Sequence, residues 1–522
     1  MRVLMVRPPK YLWPYMNEGD NYLLSQAMVY VGAAARAAGH EVTLIDCGPA
    51  KMGWKSLERT IREMRPHVVM AGDSETLYEH ETGRVFTLAK SVDPSIITVS
   101  GGTHFAQNAM SCMSRYPIDA IVRGEGEQTL TELLNAIDGG KTKPHEWADI
   151  PGLAARAEGD GVLFTGHRDL IRDLDTLPFP AYDLLPMHLF GASRYLFSPG
   201  GVTIHHSRGC TDNCNFCACW LQMSKRKGDP SEEFDEVYLP RWRTRTVDPV
   251  IDEMVHLKER YGKNCFVFGD DTWNVRPDWN DEFAEKVLAL DHSFYWFGFM
   301  RADYLIRDEK LGIFEKLIRS GLSHICIGVE RAEDEDLENM NKHNYSAEKT
   351  AWLIPYLKQK YPSLFIQSTF IVGAREDTPE KLDRMVEYVK KLDPDFPAFH
   401  PLTPVPGTKQ YKDAVQNGWL EETDYSRYDW ITPVMGTATM SREEVEYKVW
   451  EMNKKVLSLW NIAKGMCSPH TYKRRMYIWW ALVTFYVSVD FVLDRVMPSR
   501  SVRRKAALSD YVGLLKPDWY EA

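Results

Sequence analysis

Three cysteines in one short loop are the residues of this sequence that most specifically indicate a chemical function. Cys210, Cys214 and Cys217 follow one another at the spacing CxxxCxxC. Three thiolates in such a loop can hold three irons of a 4Fe–4S cluster and leave the fourth iron without a protein ligand. A substrate or a cofactor can then coordinate that open iron.

A zinc site is the main alternative for this loop. Zinc takes four ligands, and its sites usually include a second cysteine pair downstream. In this sequence, Cys219 and the pair His205 and His206 are the nearby residues that could supply a fourth ligand. Three buried structural cysteines are the other alternative, and the spacing favours the cluster over both.

An aromatic residue, Phe216, stands directly before the last of the three cysteines. With it, the stretch resembles the cluster loop of the radical S-adenosylmethionine (SAM) superfamily. The resemblance implies that Cys210, Cys214 and Cys217 are the catalytic cluster ligands and that Phe216 lies near the adenine. In that family an electron from the cluster cleaves SAM to a 5′-deoxyadenosyl radical, which abstracts a hydrogen atom from an unactivated carbon. The cofactor carries this chemistry because side chains cannot perform it.

The composition of the 522 residues excludes several classes of protein. Hydrophobic residues make up 44% and charged residues 26%, which is ordinary for a globular protein. A net charge of -10 argues against a nucleic-acid binder, because such proteins normally show a basic surplus. Nine cysteines, three of them in one loop, do not form a disulfide framework, and the cluster fits a reducing compartment. No signal-peptide pattern precedes the first strand, so we expect a cytoplasmic protein.

The first 150 residues alternate short apolar runs with amphipathic segments. Such alternation predicts an α/β fold with a Rossmann-like, doubly wound parallel sheet. The predicted strands are 1–6, 41–46, 68–72, 96–100 and 118–122, and the predicted helices are 23–38, 57–64 and 85–91.

Ligands of such sheets bind beyond the carboxyl ends of the strands, where glycines permit close backbone approach. The loops with Gly101-Gly102-Thr103-His104 and Arg123-Gly124-Glu125-Gly126-Glu127 resemble the cobalamin-binding domain of B12-dependent radical SAM enzymes. A Rossmann-like domain that no longer binds a corrinoid is the alternative. The D-x-H-x-x-G motif of other corrinoid proteins is absent, and we expect His104 to hydrogen-bond rather than to bind cobalt. The resemblance implies cofactor contacts from Pro8, Gly72, Ser74, Gly101, Gly102, Gly124 and Glu125.

Alternating strands and helices return after residue 199 and predict a partial (β/α)6 barrel, whose chemistry lies at the carboxyl ends of its strands. The predicted strands are 202–206, 265–269, 294–300, 324–329, 365–372 and 396–400. By resemblance to the radical SAM family, Asp270 approaches the amino group of SAM, and Arg301 and Glu330 meet its carboxylate and ribose. Ile371 and Gly373 would pack on the adenine.

The residues after Tyr411 are rich in aromatic side chains and predict helices. The run 476–489 is almost wholly apolar and has basic residues on both sides, but it is shorter than the roughly 20 residues that span a membrane. It suits a helix at a membrane surface or one that lines a site for a bulky apolar substrate. A buried helix that caps the barrel is the alternative.

The predicted organisation has four parts: a Rossmann-like cobalamin-binding domain at 1–141, a proline-interrupted linker at 142–198 with a hairpin at 153–165, a radical SAM barrel at 199–411 and a helical C-terminal domain at 412–522. The resemblance implies a 4Fe–4S cluster, SAM and cobalamin as cofactors and a flavodoxin or ferredoxin as external electron donor.

Methylation of an unactivated carbon of a large apolar small molecule is the expected reaction. The chain also resembles the anaerobic Mg-protoporphyrin monomethyl ester cyclase group and radical enzymes that modify or couple lipids, so a non-methylating outcome is an alternative. A cluster- or corrinoid-binding sensor without turnover is an alternative of a different class.

Overall fold

The structure is a computed structural model that describes residues 1–9, 23–50, 52–72, 76–157, 161–191, 200–231 and 235–496. The chain divides into two compact units. The first contains Met1–Phe190, Leu221–Leu239 and Phe485–Ala522, and the second contains Gly191–Trp220 and Pro240–Thr484.

Strands and helices alternate along most of the described chain. The strands are β1 (Arg2–Arg7), β2 (Glu41–Asp46), β3 (Val68–Gly72), β4 (Ile97–Gly101), β5 (Ala120–Val122), β6 (Leu153–Arg156), β7 (Val162–Phe164), β8 (Gly201–Ile204), β9 (Ser207–Arg208), β10 (Lys225–Lys227), β11 (Val237–Leu239), β12 (Arg243–Thr244), β13 (Cys265–Phe268), β14 (Tyr295–Met300), β15 (Leu322–Glu330), β16 (Phe365–Val372) and β17 (Phe396–Pro401). The helices are α1 (Gln26–Ala37), α2 (Trp54–Met64), α3 (Glu79–Val92), α4 (Thr103–Gln107), α5 (Ala109–Arg115), α6 (Gly126–Asp138), α7 (Val247–Tyr261), α8 (Pro277–Ala289), α9 (Ala302–Lys310), α10 (Ile313–Arg319), α11 (Asp334–Asn339), α12 (Ala347–Lys360), α13 (Pro379–Leu392), α14 (Lys409–Gln416), α15 (Arg442–Val456), α16 (Leu459–Met466) and α17 (Thr471–Val496).

The first unit is built on a sheet with the strand order β2-β1-β3-β4-β5-β6-β7 in the described residues. Strands β1 to β5 pair in parallel, which confirms the predicted doubly wound sheet. Their apolar runs are buried because helices cover a parallel sheet on both faces. The hairpin that we assigned to the linker instead adds β6 and β7 antiparallel to this sheet. The domain boundaries inferred from the sequence stay predictions.

A short ribbon that follows the cysteine loop in sequence belongs to the first unit. It spans Leu221–Leu239 and contains the antiparallel pair β10 and β11. The hydroxyl of Tyr238 lies 2.5 Å from the side-chain amide of Gln107. Gln222 donates from its amide to the carbonyl oxygen of Gly124. The ribbon is therefore tied to the loops that follow β4 and β5.

The second unit is built on a six-stranded sheet in the described residues, with the strand order β17-β16-β15-β14-β13-β8. All neighbouring pairs are parallel, which confirms the predicted partial barrel. Parallel pairing brings the carboxyl ends of the six strands to one edge of the sheet. The loops after β8, β13, β14, β15 and β16 therefore meet at one place.

The aromatic C-terminal helix contacts the opposite edge of this sheet. Trp479 and Trp480 of α17 lie 6.0 and 5.0 Å, between ring centroids, from Phe396, the first residue of β17. Tyr472 stacks near Tyr295, the first residue of β14, at 5.7 Å. These contacts do not support the expectation that the helix lines a substrate site at the carboxyl edge. Among the described residues, no helix is long and apolar enough to cross a membrane.

Gly72 and Gly101, on the neighbouring strands β3 and β4, provide a test of how closely these two strands of the first unit pack. A Cβ atom on Gly72 would lie 2.5 Å from the carbonyl oxygen of Gly101, whereas a Cβ on Gly101 would meet no atom closer than 3.9 Å. We expect Gly72→Ala to destabilise the first unit by about 1–3 kcal/mol, because β3 and β4 must separate. Gly101→Ala should cost less than about 1 kcal/mol.

Urea unfolding measures the free energy of unfolding of both variants. Hydrogen exchange at the β3 and β4 amides measures the loss of protection in these two strands. Equal loss of protection in the two variants would show that the close contact of the two strands is not the reason for glycine at position 72.

Candidate functional site

The cysteine loop of the second unit starts where the chain leaves β9. Gly209 has φ 81°, a left-handed conformation that favours glycine, and it turns the chain from β9 into the loop. Cys210, Cys214 and Cys217 follow and are all partly buried. The loop therefore lies at the carboxyl edge of the sheet, as the sequence predicts.

Asp270 holds the turn that leads into this loop. Its side chain is completely buried and accepts hydrogen bonds from the backbone N–H of His206 at 3.1 Å and from the backbone N–H and hydroxyl of Ser207 at 2.5 and 2.6 Å. Nδ1 of His206 lies 2.8 Å from the same carboxylate. Burial alone would raise the pKa of Asp270, but His206 and Ser207 outweigh it and hold the pKa below its usual value. This carboxylate is committed to the turn rather than to a ligand.

The neighbouring Asp271 carries the carboxylate that faces the cysteines. It interacts electrostatically with Cys210 and Cys217. Burial, and then the charge of Asp270, raises the pKa of Asp271 to about 7. Thr272 adds a hydroxyl at 3.2 Å from the sulfur of Cys210. The resemblance assigns Asp270 to SAM, and that assignment stays a prediction; Asp271 is the adjacent carboxylate with electrostatic interactions to the cysteines.

The three thiols differ in their electrostatic surroundings. Burial raises the pKa of Cys210 to about 11 and that of Cys214 to about 12, whereas a hydrogen bond from Cys219 lowers the pKa of Cys217. A bound metal centre reverses this preference, because thiolates are the metal ligands and the positive charge of the metal favours them.

The loop cysteines are not arranged as a compact single-ion site. Among the described residues, Glu79, His104 and Cys112 form the only group of three ligand atoms within 4.8 Å of one another. The assignment of a cluster therefore rests on the CxxxCxxC spacing of the loop.

The segment from Asn339 to Asn341 holds the cysteine loop by hydrogen bonds. Asn339 accepts a hydrogen bond at its carbonyl oxygen from the side chain of Asn215 at 2.8 Å, and the backbone N–H of Asn215 donates to the carbonyl oxygen of Met340 at 3.1 Å. Asn341 donates from its side chain to Asn213 at 2.8 Å. Asn341 has φ 56°, a left-handed conformation that asparagine tolerates better than most residues. These contacts fix the middle of the loop between Cys210 and Cys217.

Arg301 connects the loop to the end of β14. It forms ion pairs with Asp303, at 2.9 Å, and with Asp212 of the cysteine loop. It also donates to the carbonyl oxygen of His343 at 3.0 Å. The structure thus brings Arg301 to the site, with its guanidinium already engaged by two carboxylates.

Glu330 ends β15 in a strained conformation. Its φ of 64° is left-handed, which costs free energy for a residue with a Cβ and is found at functional sites. Its Oε1 pairs with the buried Lys342 at 2.9 Å. Burial alone would lower the pKa of Lys342, but Glu330 outweighs it and keeps the pKa raised. Lys342 also interacts electrostatically with Cys214, and the sequence analysis missed it.

An apolar cluster covers one side of the loop. Phe216 packs against buried residues that include Ile371, Ala374 and Leu402. Gly373 has φ 83°, and its backbone N–H donates to Asp377 at 2.8 Å. The structure therefore brings Phe216 and Ile371 into one apolar cluster, and Gly373, also predicted to contact the adenine, follows β16.

The predicted cofactor residues of the first unit lie in the loops after the parallel strands. Pro8 is buried after β1, and Gly102 and Gly124 have φ 94° and 101°. Glu125 is buried and accepts the backbone N–H of Ile171 at 2.7 Å. Gly72 and Gly101 end paired strands, where the close contact of the backbones explains Gly72. Ser74 lies outside the described residues.

His104 is held in a buried network of polar groups. Its Nδ1 lies 3.1 Å from the hydroxyl of Thr76, and its Nε2 lies 2.7 Å from Glu79. Arg115 pairs with the same glutamate at 2.7 Å. Both ring nitrogens have hydrogen-bonding partners, which confirms the expectation that His104 is a hydrogen-bonding residue.

Comparison with family models identifies both halves of the chain. A model described as the radical SAM superfamily matches residues 204–389, which contain the cysteine loop. A model described as the B12 binding domain matches residues 14–134. Residues 204–389 are therefore a radical SAM region and residues 14–134 a B12-binding region of the same chain.

Curated relatives of this radical SAM enzyme include methyltransferases and cyclases. An uncharacterized methyltransferase of Pyrococcus horikoshii is 29% identical over 80% of this chain and 84% of its own length. The anaerobic magnesium-protoporphyrin IX monomethyl ester cyclase of Rubrivivax gelatinosus is 26% identical over 82% of this chain and 74% of its own.

The solved structure of the radical SAM methyltransferase TsrM from Kitasatospora setae, with cobalamin and a [4Fe-4S] cluster bound, is similar in fold to this radical SAM enzyme. Its TM-score is 0.67 at 15% identity, over 94% of this chain and 99% of TsrM.

Substitution of single cysteines tests the assignment of ligands in this radical SAM enzyme. After anaerobic reconstitution with iron and sulfide, we expect about four irons per chain in the parent protein and much less than half of that in Cys210→Ala, Cys214→Ala and Cys217→Ala. Iron and sulfide analysis measures both.

Cys219→Ala is the matched control, because Cys219 neighbours the loop but lies outside the motif. It should keep about four irons. Loss of iron from Cys219→Ala equal to that from Cys217→Ala would show that Cys219 is a ligand and that the fourth iron is not open.

Proposed function

We propose that this chain is a cobalamin-dependent radical SAM enzyme that methylates an unactivated carbon of a large small-molecule substrate. The observation that carries the proposal is the CxxxCxxC loop at the carboxyl edge of the six-stranded sheet, in a chain that also matches the model of the B12 binding domain. The cluster and SAM supply a 5′-deoxyadenosyl radical when they are bound, and cobalamin supplies the methyl group.

The residues around the loop fit a ligand with an amino group, a carboxylate and a ribose. Asp271 offers a carboxylate beside Cys210 and Cys217. Lys342 offers a buried positive charge near Cys214. Glu330, held in place by Lys342, offers a carboxylate that suits ribose hydroxyls. In this proposal Asp271, rather than Asp270, receives the amino group of SAM.

Other residues position the loop or exclude water from it. Asp270 fixes the turn before the first cysteine, and Arg301 fixes Asp212 inside the loop. Phe216 and Ile371 form an apolar surface on which a flat base can pack. An apolar, rigidly held environment of this kind keeps reactive groups in one geometry and excludes water from them.

The first unit fits a large ligand at the carboxyl edge of its sheet. A Cβ on Gly124 would meet no atom within 4 Å, so the loop after β5 has open space beside its backbone. Ser100, directly before the Gly101-Gly102 pair, has a buried hydroxyl without a partner in the structure. An open glycine and an orphaned hydroxyl are consistent with a corrinoid that contacts these loops.

The electrons that this chemistry requires come from another protein in our proposal. Outside the cysteine loop and Cys219, the cysteines of the sequence are scattered and form no second cluster motif. A flavodoxin or ferredoxin would serve as the external donor. The structure adds no support for an apolar substrate at α17, because Tyr472, Trp479 and Trp480 contact residues at the amino ends of the strands. Phe485 of the same helix is exposed.

Oxidative ring formation without methyl transfer is the second candidate. The similarity to the magnesium-protoporphyrin monomethyl ester cyclases extends over most of this chain and favours it specifically. The two reactions differ in the fate of the methyl group of SAM, so isotopic labelling distinguishes them.

Incubation of the reconstituted, reduced enzyme with SAM that carries a deuterated methyl group tests the reaction. We expect 5′-deoxyadenosine and, with candidate substrates, a product that is heavier by one labelled methyl group, measured by mass spectrometry. A product that has lost hydrogen and contains no label would favour the cyclase alternative. Absence of 5′-deoxyadenosine with every candidate would favour the sensor alternative.

The role of Glu330 is tested with a variant that keeps the shape of the side chain. Glu330→Gln should weaken SAM binding about tenfold to a hundredfold, because hydrogen bonds to a charged acceptor are lost, while iron content stays unchanged. Equilibrium dialysis against labelled SAM measures the affinity.

Glu333→Gln is the control, since Glu333 pairs with Arg384 at 2.8 Å on the surface of the same unit. An unchanged affinity of Glu330→Gln for SAM would remove Glu330 from the proposed binding site.

A further inference from the structure

A buried arginine of the first unit has hydrogen-bond donors that no atom of the described residues accepts. Arg226 lies in β10 and is only 9% exposed. Its Nη2 donates to the side-chain oxygen of Gln222 at 3.2 Å, but its Nε and Nη1 are buried without a partner. Burial of guanidinium N–H groups without acceptors is costly. The position therefore requires an acceptor that the described chain does not supply.

Ion pairing within the described residues does not supply this acceptor either. Arg123 is buried and forms an ion pair with Glu236, which also accepts a hydrogen bond from the hydroxyl of Tyr238 at 2.7 Å. Arg226 interacts electrostatically with both Arg123 and Glu236, and burial lowers its pKa. Glu236 is already paired with Arg123, and the carboxylates of Glu125 and Asp169 line the nearby pocket. No ion pair with Arg226 itself is formed among the described residues, and a buried charge is tolerated when an anion pairs with it.

The side chain of Arg226 lies at a pocket beyond the carboxyl end of β5. Arg226 lines the pocket together with Arg123, Gly124, Gln128 and His167. Gln128 is in the first turn of α6, and free backbone N–H groups at the start of a helix attract anions. At Gly124, φ is 101° and nothing lies within 4 Å of the position of a Cβ. The pocket therefore combines a buried hydrogen-bond donor without an acceptor, the start of a helix and a backbone with free space beside it.

We propose that Arg226, with Arg123 and the start of α6, binds a phosphodiester group, and that the nucleotide loop of a bound corrinoid supplies it. Cobalamin carries one phosphodiester, whose oxygens can accept hydrogen bonds from Nε and Nη1 of Arg226. Arginine suits this group because its fork of N–H donors matches two phosphate oxygens. The inference rests on the proposed function, because it requires a corrinoid on the first unit. It also gives the ribbon Leu221–Leu239 a role, since the ribbon carries Arg226 to the B12-binding domain.

Binding of two corrinoids to the full-length protein tests the inference. Cobinamide keeps the corrin ring of cobalamin but lacks the nucleotide loop and its phosphodiester. We expect Arg226→Met to weaken binding of hydroxocobalamin about tenfold to a hundredfold and to change binding of cobinamide by less than about twofold. Quenching of tryptophan fluorescence measures both affinities. In the parent protein, excess inorganic phosphate should compete with hydroxocobalamin and not with cobinamide.

Two further variants control for damage to the ribbon. Arg226→Lys keeps the charge and should recover part of the lost affinity, whereas Arg62→Met removes an exposed arginine paired with Glu58 and should behave as the parent protein. Equal weakening of both corrinoids by Arg226→Met, no weakening of either, or the absence of phosphate competition would overturn the inference and leave the proposed function standing. A parent protein that binds neither corrinoid would overturn the proposed function as well.

Discussion

The hydrogen bonds of Asp270 are the interaction on which the rest of the site depends. This carboxylate lies two residues after β13 and accepts three hydrogen bonds from the turn that joins β8 to the cysteine loop. The turn cannot move without leaving a buried charge unpaired, which is costly in a protein interior. The first cysteine is therefore fixed relative to the sheet. The loop then needs only the contacts of Arg301 and of the asparagine segment to hold the other two thiols.

Each unit uses the carboxyl edge of a parallel sheet in its own way. In the second unit the strand ends provide charged side chains: Asp271, Arg301 and Glu330, together with Lys342. In the first unit they provide open backbone at Gly124 and a charge delivered by the inserted ribbon. The difference suits the two kinds of ligand, because a small charged cofactor needs paired charges whereas a large macrocycle needs free space beside the backbone.

The sequence predicts both sheets, because strand periodicity is a local signal, and the three-cysteine spacing that predicts the cluster ligands is local as well. It does not separate Asp270 from Asp271, because neighbouring carboxylates differ only in the donors that the fold brings to them. Lys342 stands twelve residues after Glu330 and reaches the site through tertiary contact. Arg226 is likewise invisible in the sequence, where it is one of several basic residues of a short segment. The aromatic C-terminal run indicated a helix correctly but gave no information about which edge of the sheet it covers.

The central claim is that three cysteines leave one iron of the cluster open for SAM. Electron paramagnetic resonance of the reduced, reconstituted protein before and after addition of SAM tests it most directly, with bound SAM quantified in the same sample. We expect the signal of the reduced cluster to change shape when SAM binds, because a new ligand reaches one iron. An unchanged signal in a sample that contains one bound SAM per chain would contradict the account.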